Sequence, residues 1–159
     1  MILVSSCLAG MKVRYNGTDC LEEGLKRLLD GGRAVAVCPE LLGGFSTPRE
    51  PAEIIGGTGE DVLDGKARVV TRSGKDVTGM YLKGARKTLD TALELGAATV
   101  VLKQNSPSCG STMIYNGEFT GRKIPGGGVT AALLRKNGIE VISEDEFAAR
   151  ADEFGLTDD

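Results

Sequence analysis

The chain has 159 residues, 41% of them hydrophobic, which suffices for one core and falls short of two domains. Its 19 basic and 22 acidic residues give a net charge of −3, so no broad basic field exists for long nucleic acid or an anionic membrane surface. Four Phe, three Tyr and no Trp leave few platforms for single-stranded bases, and the absence of His removes every imidazole base, Ser-His or Cys-His dyad and imidazole metal ligand.

Met1-Ile2-Leu3-Val4-Ser5 is a short β-prone apolar run that stops near Cys7. Val4-Ser5-Ser6-Cys7 mimics a lipoprotein cleavage box, but neither a basic residue nor an apolar run of adequate length precedes it. Leu21, Leu25, Leu28 and Leu29 have helical spacing up to Asp30, and Gly31-Gly32 supplies the stop. Ala34-Val35-Ala36-Val37 reads as a second buried strand, broken at Cys38-Pro39-Glu40 because proline cannot continue a ladder. Residues 43–60 are loop-like, and Asp64-Gly65, between Val62-Leu63 and Ala67-Arg68-Val69-Val70, predicts a tight hairpin. Asp76 is placed to cap a long helix reaching Leu95, with Val77, Met80, Tyr81, Ala85, Leu89, Ala92 and Leu93 on one face and Gly96 at its end. Ala98 to Leu102 is a third strand, delivering Lys103-Gln104-Asn105-Ser106-Pro107-Ser108-Cys109-Gly110 into a loop. Asn116-Gly117 marks a second hairpin, and Pro125-Gly126-Gly127-Gly128 precedes a helix to Lys136, closed by Gly138. Ile139 to Ile142 is a fourth strand, followed by an acidic terminal helix.

Buried strands alternating with helices predict one α/β domain over residues 1–159: a Rossmann-like, mostly parallel sheet flanked by helices, with small β-hairpin excursions. Ligand sites in such sheets lie beyond the carboxyl ends of the strands. Cys7, Cys38 and Cys109 each follow a different predicted strand at that end. Three converging thiols suit an iron–sulfur cluster or zinc, yet no short metal-ligand spacing occurs, and small buried side chains in a Gly-rich core remain the alternative. Cys20 lies outside the triplet and reads as an ordinary thiol. The four cysteines could make two disulfides, but a Gly-rich chain of this size without a signal segment predicts a cytoplasmic setting where thiols stay reduced, and no stretch approaches the roughly 20 apolar residues of a membrane span.

The chain also resembles the 2-thiouracil desulfurase family, long filed as a domain of unknown function. The resemblance rests on MILVSSCLAG at 1–10, Arg14-Tyr15-Asn16-Gly17, Cys38-Pro39-Glu40 with Gly43-Gly44 and Thr47-Pro48-Arg49, KQNSPSCG at 103–110, and GGGVTAALL at 126–134. It implies a [4Fe-4S] cluster on Cys7, Cys38 and Cys109 with one iron open to substrate sulfur, and catalytic roles for Glu40 and Ser106. Many members carry a further cysteine just before the Arg-Tyr pair, where this chain has Val13.

The implied reaction removes sulfur from a thiolated pyrimidine base or nucleotide, such as 2-thiouracil or 4-thiouridine monophosphate. An open iron would act as a Lewis acid toward the thiocarbonyl, Glu40 as general base toward water, and Ser106 as an orienting hydroxyl. For the substrate's anionic group, Arg14, Arg49 and Lys103 in strand-end loops are candidates, as are the N–H groups of Gly126, Gly127 and Gly128. Each has a plainer reading: solvated charge for the basic residues, tight packing for the glycines, a helix-start carboxylate for Glu40, and a loop cap for Ser106. Competing classes are a zinc or cluster carrier, which needs neither Glu40 nor Ser106, and a nucleotide-binding module with structural cysteines.

Overall fold

The computed structural model describes residues 2–6, 23–45, 50–150 and 153. Four parallel strands form its centre: β1 (Ile2–Ser5), β2 (Ala34–Val37), β5 (Thr99–Val101) and β8 (Glu140–Ile142), in the spatial order β2-β1-β5-β8. Leu3 pairs with Val35 on one side and Val100 on the other, and Val4 with Ala36 and Val101. Because side chains alternate along a strand, these neighbours feed opposite faces. Leu3, Val100 and Val141 pack with Ala92 and Leu134, from helices α4 (Thr78–Leu95) and α5 (Val129–Lys136). Val4, Val101 and Ile142 pack with Leu28 of α1 (Glu23–Asp30) and Phe147 of α6 (Glu144–Ala149). Helices therefore cover both faces, as a buried parallel sheet requires. The sheet is the expected α/β, Rossmann-like arrangement, and no helix among the described residues is long and apolar enough to cross a membrane.

The excursions are two antiparallel pairs, β3 (Ala52–Ile55) with β4 (Arg68–Thr71) and β6 (Met113–Tyr115) with β7 (Lys123–Pro125). Ile54, Val69 and Ile114 from these pairs meet Val77, Tyr81 and Ala85 of the α4 region and Val129 of α5 in a third apolar cluster. Asn116-Gly117 does lie in the β6–β7 connection, but the Asp64-Gly65 hairpin does not form. Val62-Leu63 ends the short helix α3 (Gly59–Leu63), Asp64 caps it, and Gly65 turns the chain at φ +77°. The reason lies upstream, where the Asp61 carboxylate accepts hydrogen bonds from the Thr58 backbone N–H and hydroxyl and fixes a helix start. β4 consequently pairs with β3 through that helix, Ala52 lying opposite Thr71 nineteen residues further on.

α4 begins at Thr78, whose N–H donates to Asp76 Oδ1 (2.9 Å), and ends at Gly96 in the left-handed region. Hydrogen bonds from Thr78 hold the Asp76 carboxyl below its ordinary value, with Arg68 adding a smaller electrostatic effect. A lowered folded-state value means that this stabilisation is present above the unfolded carboxyl's range and is lost as pH falls through the folded value. Asp76→Ala is expected to lower Tm by roughly 1–3 °C near neutrality, a difference that closes in acid; thermal melts of both proteins from pH 7 downward check this. Leu93 departs from the predicted inner face, being 60% exposed, while Gly84 and Thr88 are buried instead.

Those inner positions bring α2 (Pro39–Leu42) close to α4. A Cβ on Gly84 would lie 2.0 Å from the Pro39 carbonyl oxygen, and one on Gly43 would lie 2.2 Å from that of Met80. Only glycine permits this backbone-to-backbone approach, which is what carries Glu40 to Tyr81.

Candidate active site

In the order β2-β1-β5-β8 the chain runs from β1 outward to β2, then returns to the other side of β1 for β5 and β8. The reversal between β1 and β5 leaves a crevice at the carboxyl ends of the strands, where α/β sheets bind ligands. A cavity of about 420 Å³ lies there. Ser5, Cys38, Glu40, Ser106 and Cys109 line it from the sheet edge, and Tyr81 from α4. Glu53, Arg72, Tyr115 and Phe119 line it from the antiparallel excursions. The volume suits a single base or nucleotide.

Cys38 is the residue at which β2 becomes α2. Its backbone is extended (φ −122°, ψ 105°), and Pro39 at the first helical position continues the chain without needing an N–H partner. Glu40 follows in the first turn, half-buried, with both carboxylate oxygens engaged. Tyr81 Oη donates to Oε2 at 2.6 Å, and Ser106 Oγ donates to Oε1 at 3.4 Å. The Tyr81 ring is itself set by Phe45, at 5.1 Å between centroids.

Ser106 takes the loop-cap role and also faces Glu40. Its Oγ accepts from the backbone N–H groups of Ser108 (3.0 Å) and Cys109 (3.2 Å), so both lone pairs are occupied and its one proton is directed to Glu40. The loop bearing it is held on two sides. Gln104 Oε1 accepts from the N–H groups of Thr112 and Met113, and the N–H of Asn105, at φ +76°, donates to the Met113 carbonyl. On the α5 side, Val129 and Thr130 N–H groups donate to the carbonyls of Pro107 and Ser108, whose hydroxyl meets Thr130 Oγ1 at 2.7 Å. Cys109, 4% exposed, is thereby fixed at the cavity wall.

Lys103 lines the cavity, with its ammonium 2.9 Å from Glu144 Oε2. Gly126, Gly127 and Gly128 are not brought to it. The N–H of Gly126 donates to the Thr112 carbonyl and that of Gly128 to Gly110, while a Cβ on Gly128 would meet the Ser108 carbonyl at 2.5 Å. The run lets the cysteine loop and α5 pack backbone to backbone, so the Gly126 and Gly128 donors anticipated for an anion are used within the protein. Cys7, Arg14, Cys20 and Arg49 lie outside the described residues.

Tyr81 was legible only as a core residue of α4. A buried tyrosine needs a partner for its hydroxyl, and that need was the one available signal. Arg72, Tyr115 and Phe119 belong to the excursions and carried none.

The thiols suit a metal cluster in kind. Cys38 and Cys109 come from strands on either side of β1, and Ser5, at the carboxyl end of β1, shares their cavity two residues before Cys7 in sequence. The chain has no His, and the Cys38 and Cys109 thiols at this edge are soft sulfur donors, which fit an iron–sulfur cluster.

Residues 2–146 match the family described as 2-thiouracil desulfurase. An uncharacterized protein of Bacillus subtilis (strain 168), YbbK, is 64% identical over 146 residues, covering 92% of this chain and 97% of that one. The solved structure of the [4Fe-4S]-dependent thiouracil desulfidase TudS (DUF523Vcz) superposes with a TM-score of 0.84 at 45% identity, covering 98% of each chain.

Proposed function

This chain belongs to the 2-thiouracil desulfurase family, and on that premise we propose that it is a [4Fe-4S]-dependent desulfidase acting on a thiolated pyrimidine base or nucleotide, such as 2-thiouracil or 4-thiouridine monophosphate. The observation that carries this reading is the Glu40 carboxylate, held by Tyr81 and Ser106 in a cavity that Cys38 and Cys109 also line. The whole chain acts as one domain, 1–159, in the reducing cytoplasm, where its thiols stay available.

Exchanging C=S for C=O consumes one water and releases one hydrogen sulfide, with no net electron transfer. Cys7, Cys38 and Cys109 would hold the cluster, which when bound supplies an open iron as a soft Lewis acid for the thiocarbonyl sulfur. Glu40 accepts a proton from water as it attacks the thiocarbonyl carbon. Ser106, whose proton is aimed at Glu40, passes a proton back toward the ring nitrogen or the departing sulfur. Tyr81 keeps the carboxylate in place, and Tyr81→Phe is expected to lower kcat about 10-fold with little change in KM, as steady-state kinetics would register. Arg14, Arg49 and Lys103 are the basic residues proposed for an anionic substituent.

The test is anaerobic incubation of the reconstituted protein with 2-thiouracil, following uracil and sulfide together. Equimolar formation of both without an added electron donor is expected; formation of neither would refute the function. At fixed salt, a thiolated nucleoside monophosphate should be turned over far better than thiolated tRNA, given the net charge of −3.

A further inference from the structure

The chain has four Phe and three Tyr, and three of these side chains, Tyr81, Tyr115 and Phe119, line one cavity. Tyr81 is committed to Glu40. Phe119 stands out for its backbone: φ is +57°, a left-handed conformation that a bulky residue adopts only where its surroundings enforce it. The enforcing group is Glu53 of β3, 8% exposed, whose single oxygen Oε1 accepts from the N–H groups of Gly117 (2.9 Å) and Phe119 (3.3 Å). The Arg72 guanidinium lies over the Phe119 ring, 5.9 Å from its centroid, and lines the cavity beside it. A buried carboxylate and a cation thus hold a strained aromatic residue at the wall of the cavity that holds Cys38, Glu40 and Cys109.

We propose that Phe119 is a specificity-determining residue for the desulfurase reaction: its ring is the stacking surface for a planar thiolated heteroaromatic base, and Glu53 is the positioning residue that presents it. The inference rests on the function proposed above and adds a selectivity to it. A flat ring stacks on the aromatic wall over its whole face, whereas an open-chain thioamide such as thioacetamide offers only the small π-face of its N–C=S unit. Soft iron chemistry alone does not separate these two thiocarbonyl classes; the wall does.

Phe119→Gly supplies the test, because glycine accepts the left-handed backbone and relieves its strain while removing the ring. The variant is expected to melt at or above the parent's Tm. Its KM for 2-thiouracil should rise about 10- to 100-fold with kcat changed far less, and its preference for 2-thiouracil over thioacetamide should fall by a similar factor. Calorimetric titration of the cluster-loaded proteins with uracil gives a readout independent of turnover, and the same weakening is expected there. Glu53→Ala should weaken uracil binding and Glu53→Gln should restore it, since the amide oxygen replaces Oε1. Uracil binding unchanged in Phe119→Gly, in a parent that binds uracil and releases sulfide from 2-thiouracil, would overturn the proposal while leaving the function standing. A parent that neither binds uracil nor releases sulfide would overturn both.

Discussion

Glu40→Gln is expected to lower the rate of sulfide release from 2-thiouracil by about 10²- to 10⁴-fold, the range in which positioned general bases contribute. Glutamine keeps the size of the side chain and an oxygen that can accept from Tyr81 Oη or Ser106 Oγ, so the first turn of α2 and the loop at 103–110 should remain in place. What it loses is the ability to take a proton from water. With no His in the chain, nothing of comparable basicity is held by the same two donors. The decisive comparison is anaerobic turnover normalised to iron content, with absorbance and Tm recorded alongside. A rate within a few-fold of the parent at equal iron content would move the base elsewhere.

The second large effect is expected at the thiols. Cys38→Ser, Cys109→Ser and Cys7→Ser should each lose most of their iron and acid-labile sulfide after anaerobic reconstitution, while Cys20→Ser should retain the parent's content. Serine is a hard oxygen donor and replaces a soft thiolate poorly. At Cys109 the change also places a hydroxyl at a site only 4% exposed, so its stability is measured separately from its cluster content. Chemical denaturation of the metal-free proteins separates any change in folding stability from the loss of cluster. Full iron content in Cys38→Ser, or loss confined to Cys20→Ser, would refute the ligand assignment.

The parallel sheet was legible because each of its strands is a short apolar run closed by a loop signal. Ala34–Val37 forms as anticipated, and β5 and β8 are trimmed only at their ends. Parallel strands put Cys38, Ser5 and the loop carrying Cys109 at one edge, so the cavity followed from topology. The hairpin expected at Asp64-Gly65 failed because a capping contact three residues long, Thr58 to Asp61, outweighed the turn signal that follows it. Tyr81 was out of reach for a different reason. Its contact with Glu40 spans 41 residues and depends on the approach of Gly43 and Gly84 to facing carbonyls, which no local pattern encodes. The glycines at 126–128 looked like an anion cradle because a donor's partner is invisible in sequence; for Gly126 and Gly128 the carbonyls of Thr112 and Gly110 take that place.

The most direct test of the function is the rate of sulfide release from 2-thiouracil, measured anaerobically across preparations loaded with cluster to graded extents. The rate should rise in proportion to iron and acid-labile sulfide, reach its maximum at about four of each per chain, and need no electron donor. Equal turnover by metal-free or zinc-loaded protein would contradict it.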